Sequence, residues 1–109
     1  MPFDLTVFGP RVQEHAAEWD SLGLDWAVAP IHPNYGKALT WATFDGAEWL
    51  AQMSIWDTGE TEVETVRKWD GQAINKHYDV ANVTDLDTAI EEVLRLLRDG
   101  EVPPGAFIP

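Results

Sequence analysis

The chain has 109 residues, with nineteen Asp and Glu against seven Lys and Arg for a net charge of −12, and it carries six tryptophans and no cysteine. The lack of cysteine excludes disulfides, thiolate catalysis and sulfur-ligated zinc. The acidity disfavours nucleic acid and anionic membranes as direct partners.

A hydrophobic content of 45% is too high for disorder at this charge. The length suits a single domain, residues 1–109, with one core and a proline-rich tail at 101–109. The start Met-Pro-Phe-Asp-Leu has neither the basic opening nor the apolar run of a secretory signal. No stretch approaches the roughly 18 apolar residues of a membrane helix, so a soluble cytoplasmic protein is expected.

In chain order, Phe3–Phe8 alternates as a strand, with Phe3, Leu5 and Val7 on one face. Gly9-Pro10 breaks it, and Pro10 suits the first turn of a helix that runs to about Leu22. Val12, His15, Ala16 and Trp19 share one face of that helix, and Gly23 stops it. Leu24–Ile31 reads as a mostly apolar strand, and His32-Pro33-Asn34-Tyr35-Gly36 as a loop.

Lys37–Phe44 and Ala47–Trp56 flank Asp45-Gly46, the signature of a two-residue hairpin turn. That turn sets Phe44 opposite Ala47, Ala42 opposite Trp49 and Trp41 opposite Leu50. Ala42, Phe44, Trp49, Ala51, Met53 and Ile55 then share an apolar face, and Trp41, Glu48, Leu50, Gln52, Ser54 and Trp56 the other. A two-residue turn at Thr58-Gly59 would drive Glu62, Glu64 and Lys68 into the apolar face. A three-residue loop Asp57-Thr58-Gly59, with a left-handed glycine, avoids this. Thr61, Val63, Thr65 and Trp69 then join the core, while Glu60, Glu62, Glu64, Val66 and Lys68 point outward.

Asp70-Gly71 forms a third turn into Ala73–Val80. Ile74, Tyr78 and Val80 face inward there, Asn75, His77 and Asp79 outward, and Glu64 lies opposite His77. Thr84-Asp85-Leu86-Asp87 has the form of a helix start with Thr84 as cap. Ala89, Ile90, Val93, Leu94 and Leu97 make its buried stripe, and Gly100 ends it. Phe107 and Ile108 in the tail are candidates for docking on the body. The fold class is therefore α+β: a mostly antiparallel sheet in the order β-α-β-β-β-β-α, with the helices packed on one face and the other left to solvent or a partner.

The outward face collects Trp41, Glu48, Trp56, Glu60, Glu62, Glu64, His77 and Asp79 as a candidate partner-binding surface. Tryptophan is enriched at binding hot spots, and acids steer a basic partner. The competing reading is a solvated face whose tryptophans are covered by the first strand, the His32–Gly36 loop or the tail. Trp19, Trp26, Trp49 and Trp69 read as core.

His77, Asp79 and Glu64 have ligand chemistry for a divalent metal, but a surface Glu–His pair explains them as well, and neither metal nor cofactor is assigned. Ser21 and Ser54 lack a nucleophile-elbow context, and there is no glycine-rich phosphate loop. No carboxylate pair stands out among the nineteen acids. The chain is not expected to be an enzyme.

The segments Leu39-Thr-Trp-Ala-Thr-Phe-Asp-Gly46, Asn75-Lys-His-Tyr-Asp-Val80 and Asp85-Leu-Asp-Thr-Ala-Ile90, in a small acidic cysteine-free chain with a hairpin-rich middle, resemble bacterial toxin-immunity proteins. The resemblance implies an intracellular, non-enzymatic protein that binds a cognate toxin and blocks its active site. A basic toxin would suit the acidic face. The alternatives are a phage-type or nucleic-acid-mimicking inhibitor of a host protein, a small metal-dependent enzyme, and a homo-oligomer built through the same aromatic face.

Overall fold

A computed structural model describes residues 2–33 and 36–109, so Asn34 and Tyr35 of the expected His32–Gly36 loop lie outside the described residues. The N-terminus is helical. A 3₁₀ turn, Leu5–Val7, is capped by Asp4, whose carboxylate accepts from the Thr6 backbone N–H at 3.0 Å and the Thr6 hydroxyl at 2.6 Å. These bonds hold the Asp4 carboxyl below its usual range. The turn runs directly into α1, Phe8–Gln13.

The strand expected at Phe3–Phe8 is therefore absent. Leu5, Phe8 and Val12 are the buried residues, a spacing of three and four that belongs to a helix. The alternation of Phe3, Leu5 and Val7 is incidental to it. The helix expected from Pro10 to Leu22 is also interrupted, because α2, Ala16–Ser21, starts afresh after His15. The Val12 carbonyl is satisfied by the indole N–H of fully buried Trp19 at 2.9 Å and by the His15 backbone N–H at 3.1 Å.

Five strands follow: β1 (Asp25–Val28), β2 (Leu39–Asp45), β3 (Trp49–Trp56), β4 (Glu60–Arg67) and β5 (Gln72–Asp79). They pair antiparallel in sequence order. α3, Val83–Asp99, closes the chain's regular structure. The class is α+β around an antiparallel sheet, as expected. The strand expected at the head of the order β-α-β-β-β-β-α is missing, while the five segments read as strands between Leu24 and Val80 are all present, as β1 to β5.

The helices share one face of the sheet. Trp19 lies against Phe44 with ring centroids 4.6 Å apart. Leu86, Ala89, Ile90, Val93 and Leu97 of α3 join Ala42, Ala51, Met53, Ile55 and Val63 in the buried cluster. The N-cap of α3 is Asn82, whose side chain accepts from the Asp85 N–H at 2.9 Å. The expected cap, Thr84, sits inside the first turn. Gly100 ends the helix in the left-handed conformation at φ 71°.

Register departs from expectation in two of the three hairpins. In β2–β3, Asp45 pairs with Leu50, Ala42 with Met53 and Trp41 with Ser54, so the loop is longer than a two-residue turn. A type I′ turn needs positive φ at both central positions, and Gly46 does not have it. Its role is clearance, since a Cβ there would lie 2.6 Å from Leu24 Cδ2.

The three-residue β3–β4 loop is as expected, with Ile55 opposite Thr61 and Gly59 at φ 87°. In β4–β5, Arg67 pairs with Gln72 and Glu62, not Glu64, faces His77. Both slips are even in number, so no residue changes face. Trp69, expected in the core, is 69% exposed. The chain leaves the sheet at Arg67, and the Trp69 ring lies 4.6 Å from the Arg67 guanidinium. In the tail, Phe107 exchanges two backbone hydrogen bonds with Asn75, at 2.9 and 2.6 Å, along the outer edge of β5.

Candidate functional site

With the helices gathered on one side, the opposite face of the sheet is formed by every second residue of the strands. One row runs Trp41–Ser54–Glu62–His77, the next Thr43–Gln52–Glu64–Asn75 and the next Asp45–Leu50–Val66–Ala73. At the other side of the first row, Leu39 pairs with Trp56 and Glu60 with Asp79. Seven of the eight residues anticipated from the sequence are thus brought onto one surface.

Glu48 is not with them. It lies in the β2–β3 loop beside Trp49, Arg67 and Arg98, and its carbonyl accepts from the Lys68 N–H at 2.8 Å.

His77 is the electrostatic centre of the surface. Its Nδ1 meets Glu62 Oε1 at 2.6 Å and its Nε2 meets Asp79 Oδ1 at 2.9 Å. The Glu62 hydrogen bond, and then that of Asp79, raise the His77 pKa above the ordinary imidazole value. Acceptors facing both ring nitrogens favour the protonated imidazole, and in that form the ring has no lone pair to offer a metal. Among the described residues, no group of three His, Cys, Asp or Glu side chains is arranged to hold an ion.

The two tryptophans of this face are half-buried. The His32 ring stacks on Trp41 at 4.9 Å and 19°, so the chain between β1 and β2 does screen part of it. Lys37 lies 5.6 Å from the Trp56 ring and donates to Glu60 at 3.1 Å. Leu50 and Val66 stay open to solvent.

A family model described as immunity protein TriTu matches residues 12–96. The chain belongs to this family. The TriTu match runs from Val12 in α1 to Leu96 in α3 and takes in all five strands, so the whole open face lies within the family region. Immunity proteins of this kind have a protein partner, a toxin. No curated protein and no solved structure matches the chain. No helix among the described residues is long and apolar enough to cross a membrane.

One polar cluster lies on the helix side of the TriTu sheet and was not anticipated. Lys76 donates to Glu92 Oε1 at 2.8 Å, and the Tyr78 hydroxyl donates to the same oxygen at 2.7 Å. Burial, then the Glu92 hydrogen bond, push the Tyr78 hydroxyl far above its ordinary pKa. The signal was present: Ile74, Lys76 and Tyr78 have the same strand parity.

Proposed function

We propose that this chain is a non-enzymatic, cytoplasmic immunity protein that neutralises a cognate basic toxin by laying the open face of its sheet over the toxin's active site. The contact surface is Trp41, Trp56, Glu60, Glu62, Glu64, His77 and Asp79, with Glu48 outside its edge. The observation that carries this reading is the one-sided packing: α1, α2 and α3 pack on one face of the sheet, and the other holds the acidic rows, where among the described residues His32 of the β1–β2 connection stacks on Trp41.

An antiparallel sheet presents such side chains on a rigid backbone, which limits the ordering cost of binding. Glutamates on a face of a protein of net charge −12 attract a basic partner and accelerate encounter, while the half-buried aromatics supply the contact area that slows dissociation.

The test compares two charge reversals in toxin-binding kinetics. Glu62→Lys on the open face and Glu91→Lys on the exposed side of α3 change the net charge equally. Glu62→Lys should weaken the complex by about tenfold or more, and Glu91→Lys by much less. Equal effects of the two substitutions would place the contact elsewhere. The association rate should also fall as salt rises, because the steering charges are exposed.

A further inference from the structure

On the open face, Thr43, Leu50, Gln52, Glu64 and Val66 line a shallow depression of about 240 Å³. Leu50 and Val66 are directly paired across β3 and β4 and form its aliphatic wall, 47% and 38% exposed. Glu64 stands opposite Gln52 in the adjacent pair. The Gln52 amide nitrogen donates to Ser54 Oγ at 3.1 Å, and its amide oxygen is an acceptor with no partner among the described residues.

Glu64 differs from its neighbours. Lys37 neutralises Glu60, and His77 serves both Glu62 and Asp79. Among the described residues, Glu64 alone of these four carboxylates has no cation within ion-pair distance. A single unpaired carboxylate beside an apolar wall is complementary to a side chain with an aliphatic stem and a cationic end. A wholly apolar side chain seated there would bury the Glu64 charge uncompensated.

We infer that this depression receives one arginine side chain of the toxin, its methylenes on Leu50 and Val66 and its guanidinium on the Glu64 carboxylate and the Gln52 oxygen. The planar guanidinium bridges acceptors on two neighbouring strands, which a lysine ammonium does less well, and its weaker hydration lowers the desolvation cost. The inference rests on the open face being the toxin-binding surface and deepens that reading to one residue type.

The first experiment uses the full chain and a defined probe. Titration with N-acetyl-arginine methylamide, followed by backbone amide chemical shifts, should move Leu50, Glu64 and Val66. The uncharged citrulline counterpart should not, and Glu64→Gln should abolish the arginine response. Shifts spread over the whole acidic face, or an equal response to citrulline, overturn the pocket.

The second experiment measures toxin affinity. Glu64→Gln should lose about thirtyfold, and replacing one particular toxin arginine by methionine should cost nothing further in that background. If Glu64→Gln binds like the wild type while Glu62→Lys binds weakly, the arginine pocket is wrong and the open face remains the interface. If neither substitution weakens binding, the open-face reading itself fails.

Discussion

Lys76 on β5 donates to Glu92 on α3 at 2.8 Å, and with side chains 17% and 14% exposed this is the most enclosed ion pair among the described residues. The ammonium also lies 4.5 Å from the Tyr78 ring, whose hydroxyl uses the same Glu92 oxygen. Removing the shared acceptor leaves a partly enclosed cation and a hydroxyl without their partner, whereas removing one donor leaves the other bond intact. Glu92→Ala should therefore destabilise the protein by about 2 kcal/mol, and Tyr78→Phe by about 1 kcal/mol. Urea unfolding midpoints measure both, and a Glu92→Ala midpoint equal to wild type would show that the cluster contributes nothing to folding.

His77 makes stability pH-dependent with a definite sign. Its pKa is raised in the folded state, chiefly by Glu62, from an unfolded value of about 6.5. The stabilisation is therefore fully present below about 6.5 and is lost as pH rises through the higher folded value. Because the side chain is 46% exposed, solvent screening keeps the contribution below about 1 kcal/mol. The difference in unfolding midpoint between wild type and His77→Gln should be largest at mildly acid pH, below the unfolded imidazole value of about 6.5. It should close at alkaline pH. A difference that stays constant across that range contradicts the charge pairing.

Gly59 and Gly71 both have positive φ, 87° and 71°, but only one of them is crowded. A Cβ at Gly59 would lie 2.1 Å from the Val80 carbonyl oxygen, while one at Gly71 would meet nothing within 4 Å. Gly71→Ala carries only the left-handed backbone penalty, about 1 kcal/mol. Gly59→Ala must in addition push apart the backbone at Val80, and should cost about 3 kcal/mol or more. Thermal midpoints of the two variants give the comparison, and similar losses would mean that the β3–β4 loop adjusts freely.

Strand parity makes much of this protein legible. Ala42, Phe44, Ala51, Met53 and Ile55 turn inward and Glu60, Glu62 and Glu64 outward because side chains alternate along a strand. Lateral register is not carried by alternation. Asp45-Gly46 has the composition of a tight turn, but Leu24, distant in sequence, packs against Gly46 and the hairpin closes later. The same limit hides which carboxylates have counter-ions, since His77 meets Glu62 only after the β4–β5 register is known. Trp69 is apolar enough for a core, but the strand ends before it. At the N-terminus, Phe3–Phe8 satisfies both a strand and a helical pattern, and the Asp4 cap decides for the helix.

The pairing of β2 with β3 separates two properties that are usually treated together. Slipping a hairpin by an even number of residues keeps the identity of the buried set, yet it reassigns which outward side chains stand shoulder to shoulder. Lengthening the β2–β3 loop by two residues would bring new neighbours beside Trp41 while Phe44 and Met53 stayed inside. On the proposed reading of the open face, loop length sets which outward side chains a toxin meets side by side, while the inward and outward sets themselves stay unchanged.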